Sequence, residues 1–114
     1  MHEWANDSRP GLSVYLMDNG NLMRTARVGS STFAGGGIGG RIEEFDWNGN
    51  LLWSYDYATD LVHQHHDIEV LPNGNILVLA WEYISRTEAI AQGWNPSLVD
   101  NSLWPDHIVE IKFV

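Results

Sequence analysis

The sequence contains no cysteine among its 114 residues. This absence excludes disulfide bonds, thiol nucleophiles and thiolate metal sites, although it leaves the redox compartment open. Basic residues are also scarce, because six Lys and Arg stand against fifteen Asp and Glu, and the net charge is −9. A nucleic acid or an anionic membrane surface requires clustered cations, so neither is expected as the main partner.

Long apolar runs are missing as well. No run approaches the roughly 20 residues of a membrane-spanning helix, and no signal peptide is visible. Both ends of the sequence resemble the interior of a strand, which suggests a piece of a longer chain. The hydrophobic fraction of 44% is ordinary, so the chain is expected to bury a modest core.

Aromatic residues and turn residues, by contrast, are abundant. Six Trp is a high number for this length, and large aromatic side chains pack well on pleated sheets. The tripeptide Asn-Gly-Asn occurs three times between apolar runs, at 19–21, 48–50 and 73–75. An Asn-Gly turn between two such runs predicts a β-hairpin, here a tight turn of the two-residue type.

An internal repeat relates the two halves of the sequence. Residues 12–28 align with 66–82 without a gap, and the alignment resumes farther on with Glu44 opposite Glu110. The first copy predicts four strands, named a to d, at about 12–17, 21–27, 41–46 and 50–57. The second copy predicts strands a to c at about 67–71, 75–82 and 107–113. Residues 2–4 are interpreted as the remnant of an earlier d strand.

Four antiparallel strands repeated about every 50 residues are typical of a β-propeller blade. We therefore expect an all-β chain that forms a single partial β-propeller domain over 1–114. Its blades are expected at about 12–57 and 67–114, and the extra residues 83–105 are expected to carry a short helix near 87–91. A β-sandwich, which also has many short strands, is the alternative.

Three histidines, His63, His65 and His66, precede the second predicted strand a in a long connection. Long loops on a rigid scaffold often carry function, and a neutral imidazole can act as a nucleophile or a general acid or base. A buried structural histidine is the alternative for each of them. A metal site is not expected, because the i, i+2, i+3 spacing in a loop is not a recognised ligand pattern.

Other connections on the same side of the predicted blades contain arginine and glycine. Arg9 and Arg27 are candidates for holding an oxyanion, and a solvated loop arginine is the alternative for each. The Gly-rich segment 30–40 lacks the lysine and the following helix of a phosphate-binding loop. It is therefore interpreted as a flexible or tightly turning connection.

Four strings in the sequence together resemble the bacterial arylsulfotransferase family. They are HHDIEVLPNGNILVLAWE (65–82), RPGLSVYLMDNGNLMRT (9–25), GGRIEEFDWNGNLLWSY (39–55) and LWPDHIVEI (103–111). The resemblance covers nearly the whole chain and implies part of a six-bladed propeller. It further implies transfer of a sulfuryl group from a phenolic sulfate ester to a phenol through a sulfated histidine. A periplasmic or secreted location, and no cofactor or nucleotide sulfate donor, are implied as well.

The resemblance makes His66 and His65 the candidate catalytic residues. His63, Arg27 and Arg9 are the candidate substrate-binding residues, and no metal ligands are assigned. Which histidine is the nucleophile stays open, and it can also belong to a blade that this chain lacks. A non-catalytic binding module and a fragment that is inactive alone are the alternatives to an enzyme. Two blades per chain also raise the alternative of a head-to-tail trimer that completes a six-bladed ring.

Overall fold

The first half of the chain forms a four-stranded antiparallel sheet in the computed structural model, which describes residues 1–112. The strands lie side by side in chain order and are joined by short connections, except between the second and third. They are β1 Pro10–Leu16, β2 Leu22–Arg27, β3 Gly40–Phe45 and β4 Leu51–Asp56. All four lie within about two residues of the strands predicted from the sequence.

The second half forms a three-stranded antiparallel sheet with an insertion before its last strand. The sheet contains β5 Val62–Val70, β6 Ile76–Glu82 and, after the insertion, β9 Asp106–Ile111, in that order. The insertion contains β7 Ile84–Ser85, helix α1 Arg86–Ala91, a 3₁₀ helix Pro96–Leu98 and β8 Ser102–Leu103. The expected short helix is thus present. The predicted end of the last strand at residue 113 lies outside the described residues.

A capping box explains why the short helix begins where it does. The Ser85 hydroxyl accepts from the backbone N–H of Glu88, and the Glu88 carboxylate accepts from the backbone N–H of Ser85. Each interaction satisfies a backbone donor that the first helical turn leaves free. This helix is too short to cross a membrane, as is every other helix in residues 1–112.

The three Asn-Gly-Asn turns have the same backbone conformation. Gly20, Gly49 and Gly74 have φ angles of 86°, 86° and 88°, as predicted. The turn type differs from the prediction, however. The N–H of Gly74 donates to Leu71 O, and the N–H of Leu71 donates to Asn75 O. This pattern is a three-residue loop with glycine at the left-handed position, rather than a two-residue turn.

A second contact recurs in both sheets. The side-chain amide of Asn21 donates to Glu44 Oε1 at 2.9 Å, and that of Asn75 donates to Glu110 Oε1 at 2.6 Å. Each bond joins the last residue of an Asn-Gly-Asn turn to a glutamate on the strand that pairs with the one after the turn. Both sheets therefore have the same contact at positions that the sequence alignment pairs.

The hydrophobic core lies between the two sheets. Its buried members come from the second and third strands of the first sheet and from the first two strands of the second sheet. They are Met23, Ile42, Ile68, Ile76 and Val78, and aromatic residues such as Tyr15, Trp53 and Tyr57 pack against them. Alternate residues of β6 are buried, as expected for a strand with one face on a core.

Two local expectations are corrected by the structure. Residues 2–4 form no strand; instead His2 stacks on Trp47, and the Trp4 indole donates to Asp46 O. Strand β5 begins at Val62 rather than at residue 67, so the three histidines lie in a strand and not in a loop. The described strands form open sheets, with no closed ring of strands.

Candidate functional site

Strand β5 is longer than predicted because the glycine-rich connection pairs with its outer edge. The backbone N–H of Gly39 donates to Gln64 O, and that of His66 donates to Gly37 O at 2.8 Å. These bonds satisfy the backbone of β5 on the side away from β6. The connection interpreted as a simple turn thus extends the histidine strand.

A β-bulge interrupts the pairing of β5 with β6 at the histidines. Gln64 pairs with Ala80 and Ile68 pairs with Val78, so three residues, 65–67, lie opposite the single residue Leu79. Within the bulge His66 has a φ of 55°, a positive value found at no other described residue except glycines. A bulge with a left-handed residue turns a side chain out of the regular alternation, and such features concentrate at functional sites.

Two glycines leave the space that this bulge requires. A Cβ atom on Gly37, whose φ is 86°, would lie 2.1 Å from His66 Cε1. A Cβ atom on Gly39 would lie 2.1 Å from Gln64 Oε1. Larger residues at positions 37 and 39 would therefore collide with the side chains of His66 and Gln64.

His65 is buried at the centre of the site, and both of its ring nitrogens have partners. Its Nε2 lies 2.8 Å from Asp106 Oδ1, and its Nδ1 lies 2.9 Å from His66 Nδ1. The imidazole stacks on the Trp81 indole, with ring centroids 4.2 Å apart and planes inclined by 21°. These three contacts hold the His65 ring in one orientation.

Burial lowers the pKa of His65 from its usual value of 6.5, because desolvation disfavours the charged imidazolium. The hydrogen bond to Asp106 and the charge of this carboxylate act in the opposite direction, while His66 and His63 add to the lowering. Desolvation is the largest contribution, so His65 is neutral at pH 7.

His66 differs from His65 in that its side chain is exposed to solvent. Its backbone carbonyl accepts a hydrogen bond of 2.6 Å from the Ser13 hydroxyl, which joins β5 to β1. His66 is one of the residues that line an open groove of about 350 Å³ between these two strands, together with Leu12, Ser13, Val14, Tyr15 and Asp67. A small molecule in this groove would contact residue His66.

The carboxylate of Asp67 belongs to the same groove but is already engaged. The Tyr15 hydroxyl donates to Asp67 Oδ1 at 2.5 Å, and the backbone N–H of Ile68 donates to the same oxygen. The bond to Asp67 raises the pKa of Tyr15 to about 12, and the bond from Tyr15 lowers the pKa of Asp67. The hydrogen bond between Tyr15 and Asp67 thus links β1 to β5 beside His66.

His63 is placed differently from the other two histidines. It has no solvent exposure, and its Nε2 donates to Gly39 O at 3.1 Å. A Cβ atom on Gly40 would lie 2.8 Å from the same nitrogen. A substrate therefore cannot contact His63 without displacing the glycine-rich connection.

The two candidate arginines lie next to each other at one end of the first sheet. The backbone N–H of Arg27 donates to Arg9 O at 2.8 Å, and both side chains are exposed. Neither guanidinium has a hydrogen bond or ion pair within residues 1–112. Arg9 is four residues from Ser13 along β1, or about 13 Å in an extended strand, so a substrate must bridge the distance.

The sequence interpretation missed Asp106 as a partner of the histidines. Asp106 pairs with Trp81 across β6 and β9, and Trp81 pairs with His63 across β5 and β6. This row across three strands brings together residues that are up to 43 positions apart. The alignment of the two sequence repeats could have predicted that these residues lie close together, because it sets which residues of β6 and β9 lie opposite each other.

The described part of the chain contains no group of three His, Asp or Glu side chains arranged to hold a metal ion. The histidine pair has one carboxylate partner, and that contact uses a ring nitrogen of His65. What the arrangement offers chemically is an exposed imidazole next to a buried and oriented one.

Comparison with known proteins assigns a family to the chain. No curated protein matches the sequence, and no solved structure matches the fold. The family model described as arylsulfotransferase (ASST) matches residues 2–111, which is nearly the whole sequence. The chain therefore belongs to the arylsulfotransferase family.

Proposed function

We propose that this chain carries a sulfuryl-transfer site in which His66 is the nucleophile. Family membership implies an aryl sulfate as donor and a phenol as acceptor. The proposal adds that the sulfuryl group passes through a sulfated His66 and that the chain forms about two blades of a propeller. Following the family, we further propose a periplasmic or secreted location.

The observation that supports the proposal is the contrast between the two adjacent histidines. His65 is buried with both nitrogens engaged, whereas His66 is exposed on a bulge beside an open groove. Only one ring nitrogen of His66, Nδ1, has a partner within the described chain. Nε2 of His66 is therefore available to a substrate, and His65 orients the His66 ring.

The reaction balances in two displacements at sulfur. In the first, His66 Nε2 forms a bond to the sulfur of the aryl sulfate, and the sulfur–oxygen bond to the aryl group breaks. The phenoxide leaves and takes a proton from water. In the second, the oxygen of the acceptor phenol attacks the sulfur, the nitrogen–sulfur bond breaks, and the phenol proton passes to solvent. The imidazole is then regenerated as a neutral ring.

Positioning and charge stabilisation account for most of the catalysis in such a transfer. The transition state is loose and places charge on the peripheral oxygens, as in phosphoryl transfer. We assign Arg9 and Arg27 to binding of the substrate away from His66, because both guanidinium groups are exposed and free of ion pairs within residues 1–112. His63 is assigned no contact with substrate.

A turnover assay with a matched variant tests the role of His66. Asparagine tolerates the left-handed backbone, and its amide nitrogen occupies about the position of Nδ1. The His66→Asn variant therefore keeps the fold and the bond to His65 but lacks Nε2. Release of phenol from a chromogenic aryl sulfate, measured with a phenol acceptor, should fall by at least about 10²-fold. The matched control is His2→Asn, which changes an exposed histidine that packs on Trp47.

The assay separates the proposed enzyme from its alternatives. Turnover that is lost in His66→Asn and kept in His2→Asn supports a nucleophilic His66. Equal turnover in wild type and His66→Asn would contradict it. A folded wild-type chain that binds the aryl sulfate without turnover would favour the non-catalytic binding module.

A further inference from the structure

Asp106 contacts the histidine pair from a different strand. It begins β9, 40 residues after His66, and its carboxylate lies 2.8 Å from His65 Nε2. The His65 side chain is 5% exposed and the Asp106 side chain is 61% exposed. One end of the contact is thus held inside the protein and the other is open to water.

The three side chains form a hydrogen-bonded chain with a defined direction. An ionised carboxylate only accepts, so His65 must carry its proton on Nε2. A neutral imidazole has a single N–H, which leaves a lone pair on His65 Nδ1. This lone pair lies 2.9 Å from His66 Nδ1, which must then be the donor. The proton of His66 is thereby on Nδ1, and its Nε2 carries the free lone pair.

Among the groups around the two histidines, Asp106 is the one that sets the direction of these hydrogen bonds. Asp67, the nearest carboxylate in sequence, accepts from Tyr15 and from the backbone of Ile68. His63 bonds to a backbone carbonyl instead of to the pair. Stacking on Trp81 opposes rotation of the His65 ring, which would put carbon atoms where its two nitrogens now lie.

We infer that Asp106 is a positioning residue that acts through His65 to keep Nε2 of His66 unprotonated. The effect of Asp106 on turnover rests on the proposed function, because Nε2 is the atom assigned to attack sulfur. The tautomer itself is a property of the folded chain and can be observed without substrate.

Replacing Asp106 by asparagine changes the direction of the chain without removing the contact. The amide of the Asp106→Asn variant can donate to His65 Nε2, which then becomes an acceptor. His65 Nδ1 then carries the proton and donates to His66 Nδ1. The proton of His66 moves to Nε2, and the proposed nucleophilic atom is blocked. The Asp106→Glu variant keeps an acceptor and should keep the original tautomer.

Nitrogen NMR of the full chain labelled with ¹⁵N in histidine tests the inference directly. In the wild type, His66 Nδ1 should show the shift of a protonated ring nitrogen and Nε2 that of an unprotonated one. Asp106→Asn should exchange these two signatures at least in part, and Asp106→Glu should preserve them. The matched control is Asp100→Asn, which changes an exposed aspartate six residues earlier and should leave the His66 signals unchanged.

A second measurement distinguishes this inference from the proposed function. For an active chain, kcat of Asp106→Asn should fall by about 10²-fold or more with little change in KM, and Asp106→Glu should recover most of it. A protonated Nε2 in the wild type, or His66 signals unaffected by Asp106→Asn, would overturn the role of Asp106 whatever the activity. The expected tautomers in a chain without sulfotransferase turnover would support that role and contradict the proposed function instead.

Discussion

Gly37 lies so close to the ring of His66 that a Cβ atom on the glycine would be 2.1 Å from His66 Cε1. The same glycine accepts the backbone N–H of His66 through its carbonyl. Its φ of 86° is a conformation that other residues adopt at a cost. The position of the His66 ring therefore depends on a residue 29 positions earlier in the chain.

Substituting this glycine should displace the His66 ring. We expect Gly37→Ala to lower the free energy of unfolding by about 1 kcal/mol or more and to reduce turnover. Gly36→Ala is the matched control, because a Cβ at Gly36 meets no atom within 4 Å. Urea unfolding and the aryl sulfate assay measure the two effects. Equal behaviour of the two variants would contradict the tight contact between Gly37 and His66.

Stability should depend on pH through His65. Its pKa is lower in the folded chain than in the unfolded chain, so the unfolded chain binds more protons as pH falls through about 6.5. The stabilisation is therefore complete above that pH and is lost as pH falls through the folded pKa. The lowered pKa of Asp67 acts in a separate window, below its usual value of 3.8.

Urea unfolding at pH 7 and pH 5 measures this effect. The free energy of unfolding should decrease on acidification in the wild type and decrease less in His65→Gln, which cannot titrate. Turnover should fall over the same range, because a protonated His65 no longer accepts from His66. An identical pH dependence of unfolding in the two proteins would show that His65 does not titrate with unfolding.

The hairpin between β5 and β6 offers a test of backbone conformation alone. Gly74 has a φ of 88°, and a Cβ there would meet no atom within 4 Å. Gly74→Val should destabilise the chain by roughly 1 kcal/mol or more, because a β-branched residue resists positive φ. Gly74→Asn should cost much less, since asparagine tolerates that region. Thermal unfolding that ranks the two variants equally would contradict this explanation.

The hairpins could be predicted from the sequence because a short turn depends on local residues. The positive φ of Gly20, Gly49 and Gly74 follows from the Asn-Gly-Asn pattern and its steric requirements. The strand that carries the histidines was predicted too short because its first part depends on residues distant in sequence. Backbone hydrogen bonds to Gly37 and Gly39 hold this part in the sheet.

The candidate site was predictable only in part. The histidine cluster is visible as three imidazoles within four residues, but their burial is not. His63 and His65 are buried and His66 is exposed because a bulge and a positive φ change the alternation of the strand. Asp106 reaches His65 only through the pairing of β6 with β9 across the insertion, a long-range register that no local pattern specifies.

The open sheet edges predict association of the chain. Ile108 on β9 is 66% exposed, and among the strands of residues 1–112 β9 is hydrogen-bonded to β6 on one side only. We expect this edge, within residues 107–112, to be prone to aggregation. Light scattering should give a particle mass above that of a monomer, either a trimeric ring or less regular association. A monomer that unfolds cooperatively at high temperature would contradict both.

A charged residue on this edge should reduce association. We expect Ile108→Lys to lower the particle mass, because a lysine on an edge strand opposes pairing with another chain. Leu98→Lys changes an equally exposed residue in the insertion, away from the sheets, and should leave the mass as in the wild type. If both lysines lowered the particle mass equally, the reduced association would come from net charge and not from the strand edge.

Mass spectrometry of the protein after exposure to an aryl sulfate without acceptor shows whether His66 forms a bond to sulfur. A sulfated histidine should accumulate when no phenol is present to remove the sulfuryl group. The peptide containing residues 63–67 should gain one sulfuryl group, located on His66, and adding a phenol should remove it. A sulfuryl group on another residue, or none despite turnover, would contradict His66 as the nucleophile.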